Sequence, residues 1–144
     1  MTRLKTAPSK LSASIVAGIL LGALASCSTT TSRDVAESAV ETFHSQFNAG
    51  SYGAIELSAA PEFKTRAGGA KAYLQKVRDI MGTVISSHGG PGSVQSMADG
   101  VQVHLVYVTN FVNGQAPETF VFRVKDNRAS LVFYEVGAKG LTEN

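Results

Sequence analysis

Residues 101–111 alternate without interruption: Val101, Val103, Leu105, Tyr107, Thr109 and Phe111 share one parity, and Gln102, His104, Val106, Val108 and Asn110 the other. Successive side chains of a strand point to opposite faces, so the first set makes a face fit for a core and the second a more polar one. A segment patterned this way has to be a strand in a sheet with one covered side. Turn signals bracket it. Asp99-Gly100 precedes and Asn113-Gly114 follows, pairs that tolerate the positive φ of tight hairpins. The same period of two recurs over 84–88, 93–97, 118–125 and 130–136, with Phe120, Phe122 and Val124 aligned and Asp126-Asn127 as a further turn. Gly89-Gly90-Pro91-Gly92 reads as a flexible connection between the first two of these strands. A phosphate cradle would need a helix directly after it, and a strand pattern follows instead.

Upstream the period is helical. Asp34 with Glu37 three residues on has the form of a capping box, and Val35, Ala39, Val40, Phe43 and Phe47 recur at helical spacing as far as Asn48. Gly50 supplies a stop. A second helix is expected over 52–60, ended by Pro61, and a third over 70–81, where Gly68-Gly69 and Gly82 bracket Tyr73, Leu74, Val77, Ile80 and Met81. Helices grouped before strands predict an α+β fold in which three helices cover one face of an antiparallel meander of four to five strands.

The front of the chain has a different character. Its first 26 residues carry Arg3, Lys5 and Lys10 and no acid, and an apolar stretch of 11 residues, 15–25, closes them. That order of charged then apolar segments is the pattern of an export signal. The stretch falls short of the roughly 20 residues a helix needs to cross the hydrocarbon core, so a cleaved signal is expected and not a membrane span. Without it, 13 Lys+Arg become 10 against 11 Asp+Glu, a net charge of −1 over 118 residues. A near-neutral domain has no polycationic footprint, which sets nucleic acid aside. Cys27 is the only cysteine. No disulfide can form within the chain, and the fold must rest on its core.

Leu24-Ala25-Ser26-Cys27 closes the apolar stretch and resembles the bacterial lipobox, in which a branched apolar residue and two small ones precede the cysteine that takes the lipid. The resemblance implies a signal over 1–26 cut before Cys27, lipidation of Cys27, and a polar tether over 27–33 through Ser28 to Ser32. A domain over 34–138 and a tail over 139–144 follow. Two or three acyl chains would hold such a chain stably at a membrane. Ser28 after the cysteine resembles the outer-membrane sorting class, implying the periplasmic side of the outer membrane where an organism has two membranes.

Further on, Glu41, Phe43, His44, Phe47 and Tyr52, then Pro61-Glu62-Phe63, then Tyr107-Val108-Thr109-Asn110-Phe111 with Asn113-Gly114, resemble small bacterial lipoproteins of the cystatin-like cone superfamily, to which nuclear transport factor two also belongs. The resemblance implies helices closing over a curved sheet. Some members of that superfamily use an interior pocket for isomerisation or dehydration. In this sequence such a pocket would be lined by Tyr107, Phe111, Phe120 and Phe122, with the Tyr107 hydroxyl its best-placed polar group.

A catalytic set is not assembled by the pattern. His104 lies three residues from Tyr107 and so faces the other way. His44, beside Phe43, and His88, before the glycine run, read as surface residues. With no His-x-His or His-x-x-x-His pair, no metal site and no cofactor are expected. Lys64, Arg66, Lys71, Lys76 and Arg78 form a basic cluster around the third helix, either a solvated face or a surface that rests on anionic headgroups. The leading expectation is a membrane-anchored, non-catalytic binding module whose partner is a protein or a small apolar ligand. The alternative is a carrier or enzyme using the Tyr107 pocket. A third class is a structural envelope protein that forms a homodimer through the sheet face bearing Val106 and Val108.

Overall fold

The computed structural model describes residues 24–141. Four helical segments, α1 Leu24–Asn48, α2 Tyr52–Ser58, α3 Pro61–Lys64 and α4 Ala70–Met81, precede four strands, β1 Val84–Met97, β2 Gly100–Phe111, β3 Gly114–Lys125 and β4 Arg128–Val136. The strands form one open antiparallel sheet in the order β1-β2-β3-β4. Helices cover one of its faces. The expected alternation of β2 holds residue by residue: Val103, Leu105, Thr109 and Phe111 are buried and Val108 is exposed. Asp126 and Asn127 take φ of 49° and 58° at the β3–β4 turn, the pair of left-handed residues that a tight hairpin requires.

α1 differs from expectation at its start. The helix runs from Leu24, so Asp34 lies inside it rather than capping it, and the polar run 28–32 is part of the helix. No Gly or Pro interrupts 24–48, so nothing local breaks the helix there. Arg33 pairs with Glu37 one turn on at 2.7 Å. Ser32, Ala36, Val40, Phe43, His44 and Phe47 form the buried stripe. At the other end Arg78 of α4 donates to the carbonyls of Phe47 and Asn48, satisfying acceptors that a helix C-terminus leaves open. The Asn48 side chain clamps both backbone groups of Val84, fixing where β1 begins.

Two further boundaries move. Pro61 does not merely end the second helix; it opens α3 at its first turn, where a missing N–H costs nothing. The glycine run is not a connection. β1 continues through it, with a bulge between Gly89 and Gly92 where three residues oppose the two-residue step from Tyr107 to Leu105. Pro91, which has no N–H to donate, fits a bulge on an edge strand. Gly92 is needed for closeness, since a Cβ there would stand 2.5 Å from the His104 carbonyl oxygen. β3 likewise starts at Gly114 rather than 118, and Pro117 is accommodated because β4 pairs with β3 only from Glu118 onward.

The core lies between the helices and one face of the sheet. Its centre is aromatic: Phe43 and Tyr134 are 4.5 Å apart between ring centroids, Phe120 and Tyr134 5.0 Å, and Phe43 and Phe120 5.2 Å. The other face of the sheet presents Val106, Val108 and Phe133, the last two exposed.

Candidate functional site

Glu118 is the one charged residue with no solvent exposure among the described residues. Its place follows from alternation in β3, which puts Ala116, Glu118, Phe120, Phe122 and Val124 on the core face. A carboxylate there must find partners, since an unpaired buried charge is costly. It accepts three hydrogen bonds. His44 of α1 donates from Nε2 to Oε2 at 2.8 Å, the Thr109 hydroxyl of β2 donates to the same oxygen, and the Tyr134 hydroxyl of β4 donates to Oε1 at 2.6 Å. The tautomer that donates from Nε2 leaves Nδ1 to accept the Ser87 hydroxyl of β1, at 3.4 Å. One helix and all four strands thus meet on a single carboxylate and imidazole.

His44 is a correction to its expected surface position: it is only 8% exposed. Position 44 lies one turn from Val40 and three residues from Phe47, on the stripe that faces the sheet. Glu118, Thr109 and Tyr134 were not anticipated as a group. Carboxylate, imidazole and hydroxyl stand in the order of a nucleophile relay. The 3.4 Å separation to Ser87 is the longest contact of the four. Every buried side-chain nitrogen and oxygen among the described residues has a partner. As it stands the cluster ties α1 to the sheet.

Burial and the neighbouring Glu118 charge push the Tyr134 phenol well above its usual range. Tyr73 and Tyr107 are also raised, each chiefly by burial. A folded-state pKa above the unfolded value, near 10, gives stability that is complete below about pH 10 and lost as pH rises past it. Unfolding free energy is therefore expected to fall as pH rises above about 10. Tyr134→Phe flattens that fall while lowering stability at neutral pH. Denaturant titrations across this range check it, and parallel curves for the two proteins would contradict it.

Of the four residues expected to line a pocket, three are buried in the core and Tyr107 is part-buried. Phe120 has no exposure, Phe111 and Phe122 have 3% each, and Tyr107 is half-buried with its ring edge-on to His44 and to Phe120. Phe111 sits at the end of β2, paired with Val84. Phe122 also borders an open cavity. That cavity, about 300 Å³, lies between α1, α2 and the β3–β4 hairpin and is lined by Val35, Ser38, Ala39, Thr42, Phe43, Gln46, Ile55, Ser58, Phe122, Ala129 and Leu131.

The expected basic cluster is largely committed within the fold. Arg66 stacks on the Tyr73 ring at 3.6 Å and donates to the Tyr134 carbonyl, Arg78 closes the end of α1, and Lys64 donates to the Leu57 carbonyl. Lys71 and Lys76 stay exposed on α4. A second cleft, about 560 Å³, holds Arg123, Lys125 and Arg128, but Arg123 is bound by Glu62 at 2.6 Å and Asp99 at 2.8 Å. His88 is exposed, and His104 points to the face away from the core as its parity requires. Among the described residues no group of three or more His, Cys, Asp or Glu side chains could hold a metal, and no helix is long and apolar enough to cross a membrane. The proposed signal lies, for residues 1–23, outside the described residues, and the backbone of Cys27 falls in α1.

No family model, curated protein or solved structure matches this chain.

Proposed function

We propose that this chain is a lipid-anchored protein of the bacterial cell envelope, held by acyl groups on Cys27, whose domain binds a partner or ligand at its surface and carries out no chemistry. The cystatin-like cone is the fold we assign to the domain, on the pattern of helices closing over a bulged, four-stranded antiparallel sheet. The observation that carries the binding reading is the filled interior. The rings of Phe43, Phe120 and Tyr134 pack within 4.5–5.2 Å of one another, and the Tyr107 ring stands edge-on to Phe120 at 5.9 Å and to His44 at 6.4 Å. The polar groups beyond them are already hydrogen-bonded. Binding is assigned to the outside, where the groove along α1 offers a partly apolar concavity.

The anchor rests on Leu24-Ala25-Ser26-Cys27 and on Cys27 being the only thiol. Metabolic labelling with radioactive palmitate tests it. The unaltered chain is expected to take label and to sediment with membranes, and Cys27→Ala to do neither. Label retained by Cys27→Ala would overturn the anchor.

A further inference from the structure

Three contacts fix how α1 lies along the sheet. At its C-terminus the Asn48 side chain holds Val84, which pairs with Phe111 at the end of β2. Further back His44 meets Glu118, the partner of Tyr107. Nearer the N-terminus Val35 borders the groove whose other wall includes Ala129, and Ala129 pairs with Val124, which pairs with Val101. Followed toward its N-terminus, α1 therefore runs toward the end of the sheet closed by the β1–β2 and β3–β4 turns. The lengths agree. From Asn48 back to Cys27 the helix covers about 32 Å at 1.5 Å per residue, and from Phe111 back to Gly100 the strand covers about 36 Å at 3.3 Å per residue. The backbone of Cys27 thus comes out at the turn end.

Little chain separates that point from the core. Ser32 is still buried, and Thr30 and Thr31 before it are exposed. The core reaches to within about 8 Å of Cys27 along the helix axis. One helix spans Leu24–Asn48, so this spacing is that of a rod and not of a coil. A headgroup layer is about 5–8 Å deep on each side of the hydrocarbon. Lipid on Cys27 would bring whatever lies beside the start of α1 within reach of that layer.

The turns suit such a place. Met97 is an apolar tip, 49% exposed. Lys125 and Arg128 are exposed and form no ion pair among the described residues, whereas Asp99 is taken up by Arg123 at 2.8 Å. Each base near an anionic surface contributes about 1 kcal/mol, and Asp126 offsets one of the two. Charge therefore permits this orientation, and the helix imposes it. The exposed bases of α4, Lys71 and Lys76, belong to a helix fastened at the opposite end, where Asn113 donates to the carbonyls of Met81 and Ile80.

We infer that the domain meets the bilayer with the turn end of its sheet, Met97, Lys125 and Arg128 lying among the headgroups, and that α1, continuous from Cys27 into the core, fixes this orientation. The inference rests on the reading of Cys27 as the lipid-bearing residue. It turns the opposite end, where Val112 is 60% exposed, toward solvent.

The chain has no tryptophan, so one placed at a chosen site reports from that site alone, and Cys27 is the only thiol. The full chain is coupled through Cys27 to a maleimide-bearing phosphatidylethanolamine in vesicles of phosphatidylcholine and phosphatidylglycerol that also carry a lipid spin-labelled at its headgroup. Coupling stands in for the cellular acyl groups, so the outcome does not depend on whether a cell lipidates Cys27, which palmitate labelling decides separately. Quenching at Met97→Trp and at Lys125→Trp is expected to exceed that at Val112→Trp by about twofold or more, the last standing roughly 30 Å from the headgroups. A Gly-Ser linker inserted after Ser28 should remove most of the difference. Circular dichroism confirms that each variant is folded, and reporters on two separate turns keep the test decisive if one of them disturbs the fold. Stronger quenching at Lys76→Trp than at either turn position would place α4 on the membrane, and equal quenching at positions 97, 125 and 112 would show no fixed orientation. Either result overturns the inference, and a difference that the linker leaves unchanged overturns the part assigned to α1.

Discussion

Glu118→Ala is expected to lower the unfolding free energy by about 3–5 kcal/mol, a large part of the about 5–15 kcal/mol that holds a typical domain. The loss arises less from the vanished attraction than from what stays behind. Three donors from three elements, His44 Nε2, the Thr109 hydroxyl and the Tyr134 hydroxyl, converge on this carboxylate in the core. Without it they are buried and unpaired, and each unsatisfied group costs about 1–3 kcal/mol. Glu118→Gln keeps one acceptor oxygen but sets an amide N–H₂ against groups that already donate, so a smaller but clear loss is expected. Urea unfolding followed by far-ultraviolet circular dichroism measures both, the chain having no tryptophan. Combining Glu118→Ala with His44→Ala should cost less than the sum of the single losses, because either change alone already breaks the pair. A Glu118→Ala protein within about 1 kcal/mol of the parent would show that the cluster does not hold α1 to the sheet.

Both halves of that cluster were present in the sequence as local signals. Glu118 shares parity with Ala116, Phe120, Phe122 and Val124, so a strand through these residues places a carboxylate on the apolar face. His44 falls on the helical stripe of Val40 and Phe47. Each residue by itself reads as a polar exception on an apolar face. Only their meeting across 74 positions of sequence explains why neither is costly, and that distance is set by tertiary packing, which no local period encodes. The groove is illegible for the same reason. Ser38, Thr42 and Gln46 look like the solvated side of an amphipathic helix until α2 and the β3–β4 hairpin are placed beside them.

Local chemistry marks the elements that were foreseen. α4 begins after Gly69 and ends before Gly82, both with φ near +80°, and the turns at Asp99-Gly100, Asn113-Gly114 and Asp126-Asn127 fall where residues tolerant of left-handed backbone stand. The boundaries that moved are those where a single residue type admits two uses. Pro61 can close a helix or open one, and Gly-Gly-Pro-Gly can be a loop or a bulge. In both cases the neighbouring strand decides: Ala60 donates to the Leu131 carbonyl at 2.9 Å, anchoring the start of α3 on β4, and β2 pairs on both sides of the Gly89–Gly92 bulge.

Phe120→Ala is expected to cost about 3–5 kcal/mol. Phe120 has no exposure and lies within 6 Å, centroid to centroid, of Phe43, His44, Tyr107, Phe122 and Tyr134. Removing its ring leaves a hollow that five neighbours cannot all move to fill. Phe133→Ala, on the far face of the sheet and 41% exposed, should change stability by no more than about 0.5 kcal/mol. Urea unfolding followed by far-ultraviolet circular dichroism measures both, and a Phe120→Ala protein within about 1 kcal/mol of the parent would show that the centre of the core is not packed around this ring.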